Sequence, residues 1–250
     1  MLDHRGKSFR IAVVIPAYNE EVLIGRTLQS VPHFVDAIVV VNDASTDNTD
    51  AAIAAAGDDR VHLIRHPENR GPGAAICSGY EWALAHAIDV MVVIGADNQM
   101  NCDEMQQVLA PVLEGAADYA KGNRFGHPRV WEVIPLVRHM GMRVLSLLTK
   151  ISSGYWSVSD SQCGFTAIAA GCVARLELDQ VYPRYGYPND LLAHLKAIEA
   201  RVVEVPVEPI YGEARSGISL VRSLFTMPYV LARSWWWRQM YARRPRLERT

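Results

Sequence analysis

Asp97 and Gln99 stand in the stretch Gly95-Ala96-Asp97-Asn98-Gln99, directly after the apolar run Val90-Met91-Val92-Val93-Ile94. A short apolar run without alternation is the pattern of a strand covered on both faces, as in a parallel sheet. Ligands of such sheets bind just beyond the carboxyl ends of the strands. An acid at position 97 can hold a hard divalent cation there, and the cation can hold a diphosphate. Taken alone, the stretch reads equally well as a turn that ends a strand. Two more acids occupy the same kind of place: Glu20 follows the apolar run at 10–16, and Asp43 follows the run at 37–42. Three carboxylates gathered at one sheet edge are hard to explain as architecture. A nucleotide with a metal ion would explain them.

The elements that must position these acids follow from the alternation of short apolar runs and helical patterns. A strand at 10–16 is closed by Pro16 and followed by a loop at 17–21 and a helix at 22–30. The second strand, 37–42, runs into a segment rich in turn and cap residues, within which Asp47 is the better helix cap and Asp43 the better ligand contact. An alanine-rich helix at 49–56, a strand at 61–65, a loop at 67–73, a helix at 74–87 and a strand at 90–94 come next. Asp103 is expected to cap a helix that ends at Leu113. Strand and helix at this spacing make βαβ units. Right-handed crossovers then give a doubly wound α/β layer.

Bulk properties narrow the classes. The chain has 250 residues, half of them apolar and 21% charged, enough for one full-sized core. A net charge of −2 gives no case for general nucleic-acid binding. The four cysteines have no CxxC spacing and read as reduced, mostly buried thiols. Cys163 has no paired histidine that would make it a nucleophile. The first ten residues lack an apolar signal region, and no uncharged apolar stretch is long enough to span a bilayer, so a cytoplasmic location is expected.

With the strands in place, further residues bear a family resemblance. Val14-Ile15-Pro16-Ala17-Tyr18-Asn19-Glu20, then Val41-Asn42-Asp43-Ala44-Ser45-Thr46-Asp47, then the Asp97 loop resemble the nucleotide-sugar half of GT-A glycosyltransferases of family 2. Lys121-Gly122-Asn123-Arg124-Phe125 is similar to that family's Gly-Ser-Arg segment. Asp160-Ser161-Gln162-Cys163-Gly164-Phe165 and Arg215-Ser216-Gly217-Ile218-Ser219 are similar to segments of the dolichyl-phosphate mannose and glucose synthases. The resemblance runs from about residue 10 to 220, in order. It implies a GT-A, Rossmann-like, mostly parallel sheet flanked by helices in residues 1–217, and a C-terminal unit of amphipathic helices in 218–250.

The resemblance also implies roles. Pro16, Tyr18 and Glu20 line the nucleoside, and Asp43 accepts hydrogen bonds from the base. Arg70 passes near the diphosphate or base. Ala96 and Asp97 complete the nucleotide-sugar set, and Asp97 with Gln99 holds Mg²⁺ or Mn²⁺. Arg124 touches the sugar or acceptor phosphate, and Asp160 is a sugar-pocket residue or the base. Asp190 contacts sugar hydroxyls or favours the N-terminus of its helix. Arg215 meets the acceptor phosphate. The reaction implied is an inverting transfer of a sugar from a nucleotide-diphosphate sugar of the GDP-mannose or UDP-glucose type to a polyprenyl phosphate. A soluble acceptor and a non-catalytic nucleotide-sugar-binding protein are the other readings. Gly95 departs from the family's Asp-x-Asp, whose first acid it replaces, and so bears on metal use.

The C-terminal end has a composition of its own. From Arg233 to Thr250 there are six arginines against one acid, with Trp235-Trp236-Trp237 among them. Tryptophan favours the membrane interface and arginine favours anionic head groups. A peripheral contact with the inner face of the cell membrane is expected, and a helix packed on the core or on a second subunit is the alternative. Pro228 is expected to start the second of two helices there.

Overall fold

The computed structural model describes residues 8–130, 136–210 and 220–242. Seven strands form one sheet: β1 (Ile11–Ala17), β2 (Ala37–Asn42), β3 (Val61–Arg65), β4 (Val90–Val93), β5 (Tyr119–Asn123), β6 (Thr166–Ala169) and β7 (Val202–Pro206), in the order β3-β2-β1-β4-β6-β5-β7. β1 pairs in parallel with β2 and β4, and β2 with β3. β6 runs antiparallel to both β4 and β5, while β5 and β7 are parallel. The helices are α1 (Ile24–Ser30), α2 (Thr49–Ala55), α3 (Pro72–Ala85), α4 (Met105–Leu113), α5 (Leu136–Ser153), the single turn α6 (Ala170–Val173), α7 (Tyr187–Ala197) and α8 (Leu220–Ala242).

Side chains of β1 alternate between two cores. Ile11, Val13 and Ile15 face a layer that includes Ile24 and Leu28 of α1 and Met105, Val108 and Leu109 of α4. Ala12 and Val14 face the other layer, with Ile76 and Tyr80 of α3 and Leu191, Leu192 and Leu195 of α7. Each large apolar side chain fully buried in this way stabilises the fold by roughly 1.5–3 kcal/mol. Gly79 lets α3 lie tight on β1, since a Cβ there would stand 2.3 Å from Val14 Cγ1.

The mostly parallel α/β expectation holds, with local differences. The fourth strand ends at Val93. The helix turn before Met105 is capped by Asn101, whose Oδ1 accepts from the Asp103 amide at 3.1 Å, so Asn101 takes the role expected of Asp103. Pro228 does not start a helix but lies inside α8. It forfeits one backbone hydrogen bond, and packing of α8 on α5 and α7 holds the helix together across it. The C-terminal helices therefore form one long helix within the described residues. The expected domain boundary after residue 217 lies outside them.

Candidate active site

Parallel β1, β2 and β4 end on the same edge, and the loops that follow are knitted together. The Asp43 amide donates to the Ala17 carbonyl at 2.9 Å, and Asn19 and Ser45 tie the first two loops through Asn19 N–Ser45 Oγ and Thr46 N–Asn19 Oδ1 bonds. The Glu20 amide donates to Thr49 Oγ1, while the Glu21 carboxylate accepts from the amide and side chain of Asn48. Thr27 Oγ1 of α1 holds the Ala96 carbonyl at 2.9 Å, anchoring the third loop. Asn19, Ala44 and Asn98 all have φ between 52° and 59°, one in each loop. Left-handed backbone at non-glycine residues costs energy and persists where surrounding bonds over-determine it.

Two of the three acids share one electrostatic problem. Burial, then the neighbouring charges of Asp97 and Asp47, push the Glu20 carboxyl up to about 7. Burial likewise raises Asp97, more than the Gln99 amide bond to its Oδ1 lowers it. Tyr185 joins this group: burial and then the charges of Glu20 and Asp97 raise its phenol. Nothing in the sequence pattern singled Tyr185 out.

Asp43 is buried and engaged differently. Its Oδ1 accepts from the Arg70 amide at 2.9 Å and its Oδ2 from the Gly71 amide at 2.7 Å, and His66 Nδ1 lies 2.6 Å from Oδ1. His66 Nε2 in turn meets Ser78 Oγ at 3.0 Å. Asp43 thus pins the loop that carries Arg70. The N-cap position of α2 is Asn48, which makes no side-chain cap bond, and Asp47, one residue earlier, accepts from the Thr49 amide and hydroxyl. Gly71 has φ of 99°, and a Cβ on it would stand 2.7 Å from the Pro183 carbonyl. Arg70, Asn69, Ser78, Cys77 and Arg184 line an adjoining cavity of about 430 Å³. Pro16, expected to close the first strand, lies inside β1 beside Val41, the strand runs on to Ala17, and Tyr18 is exposed just beyond it.

A second cluster forms where β5 and β7 end. Arg124 makes a two-pronged contact with Asp160, Nε to Oδ2 at 2.8 Å and Nη2 to Oδ1 at 3.0 Å, and its amide also donates to Oδ2. Asp160 is fully buried. Burial pushes its carboxyl up, but the bonds and charge of Arg124 and the charge of Lys121 outweigh this and hold it below the usual range. Lys121 is itself fully buried and donates to the Cys163 carbonyl, and burial lowers its pKa. Glu204 spans the two segments: its Oε1 accepts from the Ser159 and Asp160 amides at 2.7 Å each, and its Oε2 from Asn123 Nδ2 at 2.9 Å. Asn123 Oδ1 then caps the turn that carries Arg124. Sequence reading missed Glu204, because an acid inside a strand looks like a solvent-facing residue.

Met100 links the two clusters. The Gly95 amide points at its sulfur at 3.4 Å, and a Cβ on Gly164 would stand 3.1 Å from its methyl carbon. Asp190 lies farther back, fully buried on α7. Its carboxylate accepts from Arg233 Nη1 and Ser234 Oγ of α8 at 2.8 and 2.6 Å, and from the Tyr182 amide at 2.7 Å. Burial raises this carboxyl, but His194, Ser234 and Arg233 hold it low. Arg215 lies outside the described residues.

The loop at 95–99 suits an oxygen-seeking divalent ion. Asp97 and Gln99 offer side-chain oxygens, and a cation would offset the burial that raises both carboxyls and the charge of Asp97 that adds to it at Glu20. No three His, Cys, Asp or Glu side chains among the described residues could enclose a metal. The ion fitting here brings water or substrate oxygens with it, as Mg²⁺ commonly does. A Cβ on Gly95 would stand 2.8 Å from Asp97 Oδ1, so a second acid there would shift the Asp97 side chain.

A sequence profile of Glycosyl transferase family 2 matches residues 12–173. A UDP-N-acetylglucosamine–dolichyl-phosphate N-acetylglucosaminyltransferase from Methanococcus voltae is 29% identical, over 81% of this chain and 86% of its own. An undecaprenyl-phosphate mannosyltransferase from Micrococcus luteus is 30% identical, over 85% and 89%. Among solved structures, glucosyl-3-phosphoglycerate synthase from Mycobacterium tuberculosis, in complex with Mn²⁺, UDP and glucosyl-3-phosphoglycerate, superposes with a TM-score of 0.68. It is 20% identical, with 92% of this chain and 80% of that chain covered.

Proposed function

The chain belongs to glycosyl transferase family 2 and is a glycosyltransferase, and from that premise we propose that it moves a sugar from a nucleotide-diphosphate sugar to a polyprenyl phosphate. The named activities of its relatives support the acceptor class. The observation that carries the donor side is the pair of carboxyls, Glu20 and Asp97, both raised at the strand ends where a diphosphate would sit. Asp97 and Gln99 hold Mg²⁺ or Mn²⁺ there. When bound, the ion supplies positive charge to the diphosphate leaving group. Pro16, Tyr18, Glu20, Asp43, Arg70 and Ala96 receive the nucleotide. Asp43 fixes the Arg70–Gly71 loop with both carboxylate oxygens, and a remaining lone pair of the carboxylate is the acceptor for a base N–H.

Arg124 orients the acceptor phosphate through the positive charge of its guanidinium fork, whose Nε and Nη2 are set by Asp160. Asp160 stays ionised and holds that fork in place. A phosphate monoester is already largely ionised near pH 7, so no strong base is needed. A phosphate oxygen forms the new bond to the anomeric carbon as the bond to the diphosphate breaks on the opposite face, which inverts the centre. Arg215 is a second contact for the acceptor phosphate, and Asp190 sets the sugar-side helix. The Trp- and Arg-rich end at 218–250 rests on the inner face of the cell membrane, where a lipid-linked acceptor resides. Within the described residues no helix is long and apolar enough to cross a membrane.

Calorimetry with GDP-mannose and UDP-glucose, with and without Mn²⁺, followed by transfer of labelled sugar to a polyprenyl phosphate, tests this reading. Metal-assisted binding and a lipid-phosphate product are expected. Failure to bind any nucleotide sugar would sink the site assignment. Binding with transfer only to soluble acceptors would sink the lipid acceptor.

A further inference from the structure

Helix α5 is amphipathic the wrong way round. Its described buried residues are His139, Ser146, Thr149, Ser152 and Ser153, all polar. Its exposed large apolar residues are Met140, Val144, Leu147, Leu148 and Ile151, at helical spacing along one face. A surface helix of a water-soluble domain places these sets in the opposite sense. The inward hydroxyls are engaged: Ser146 bonds to Ser161, and Thr149 Oγ1 to Asn189 Oδ1 at 2.7 Å, which Gln162 Nε2 also reaches. The polar side of α5 therefore serves the segment that carries Asp160. Its apolar side has no partner among the described residues.

We infer that this outer face of α5, together with α8 packed beside it, is the surface that enters an anionic lipid interface. The inference rests on the lipid-phosphate reading above and assigns the contact to a helix far in sequence from the Trp- and Arg-rich end. Three observations favour lipid over a protein partner. Neither α5 nor α8 contains a single Asp or Glu, whereas α5 carries Arg143 and Lys150 and α8 carries Arg238, besides Arg233, which is turned to Asp190. Basic, acid-free helices suit anionic head groups. Exposed aromatic residues of the interfacial kind lie on or next to the same two helices, namely Trp156 just beyond α5 and Tyr229, Trp235 and Trp236 on α8. The surface also adjoins the site, since the Arg143 guanidinium lies 5.2 Å from the centre of the Phe125 ring, next to Arg124. The tryptophan block divides accordingly: Trp237 stacks on buried His194 at 3.6 Å, and its two neighbours face outward. At 1.5 Å per residue α5 offers about 27 Å of length to lie in the interface plane.

The test uses the full chain and a quadruple variant, Val144→Ser, Leu147→Ser, Leu148→Ser and Ile151→Ser, all on the outward face. Flotation is measured with vesicles of phosphatidylcholine alone and with about a third phosphatidylglycerol. The wild type should float with the anionic vesicles, and the variant should lose at least about tenfold in partitioning. Its thermal midpoint and its binding of nucleotide sugar should stay unchanged. Equal flotation of the two proteins overturns the inference. So does a wild type that sediments as a dimer and a variant that sediments as a monomer with no lipid binding by either, which would assign the face to a second copy. Turnover on a short, water-soluble prenyl phosphate separates this from the reading beneath it. Retained turnover there with lost turnover on vesicle-borne acceptor supports both. No turnover of either protein on any prenyl phosphate removes the acceptor assignment, while flotation still decides the role of α5.

Discussion

The two clusters at the sheet edge use the same residue types to opposite ends. On the side of β1, β2 and β4, burial raises both Glu20 and Asp97, and the charges of Asp97 and Asp47 raise Glu20 further. On the side of β5 and β7, Asp160 is more deeply buried, yet Arg124 and Lys121 hold it low. Burial disfavours a carboxylate in both places, and the presence of a cationic side chain decides the sign. The protein supplies its own counter-charge where a fork must be held still. It leaves the counter-charge out at the edge where we propose that a cation and a diphosphate bind. Asp190 belongs with the first kind, since Arg233 neutralises it.

This contrast can be broken from either side. The largest effect is expected for Asp160→Ala, which strands Arg124 and Lys121 without their counter-charge. Loss of about 3–5 kcal/mol in urea unfolding is expected, and a loss under 1 kcal/mol would place Asp160 among dispensable residues. Asp97→Asn should leave stability intact and lower kcat by about 10²–10³-fold, measured by sugar transfer. In the same variant, carbon NMR titration should show the Glu20 carboxyl falling from about 7 towards its ordinary value, and an unmoved Glu20 would end the idea of a coupled pair.

Gly95→Asp sharpens the donor side by adding the missing acid. It should tighten Mn²⁺ by about tenfold, since carboxylate count sets affinity for hard cations, as read by calorimetry. The smallest effect concerns Glu20→Gln. A carboxyl raised on folding contributes stability that is complete below its unfolded pKa of 4.5 and is lost as pH rises through about 7. The variant should match the wild type near pH 4.5 and be more stable at pH 8, by about 1 kcal/mol after allowance for solvent screening. Identical thermal midpoints at both pH values would contradict the shift.

Much of the donor half was legible because it is local. Apolar runs at 11–15, 37–41 and 90–94 marked strands buried on both faces, and the acids directly beyond them marked the edge. Asp47 and Asp43 do differ in what they hold, Asp47 the first amide of α2 and Asp43 the amides of Arg70 and Gly71. The second half was harder. β6 is four residues long and antiparallel, and nothing in Thr166–Ala169 announces a direction. The engagements of Lys121 and Glu204 could not be read locally because their partners, Cys163 and the amides of Ser159 and Asp160, are some 40 residues away along the chain. The tie between Asp43 and His66 is invisible for the same reason. In α5 the buried face could not have been read from the sequence, because the rule that apolar residues point inward gives the wrong side there.

The strand order β3-β2-β1-β4 has a consequence for how the chain comes together in time. All four strands, and the helices that cross between them, lie within the first 93 residues, so their contacts are complete before β5 is synthesised. β7 must instead find β5 across roughly 80 residues, and loop closure of that length slows the encounter. The nucleotide-receiving half should therefore acquire hydrogen-exchange protection first in pulse-labelled refolding, with the β5–β7 pair last. Simultaneous protection of both would mean that the chain folds as one unit, with no early half able to receive a nucleotide before the acceptor side exists.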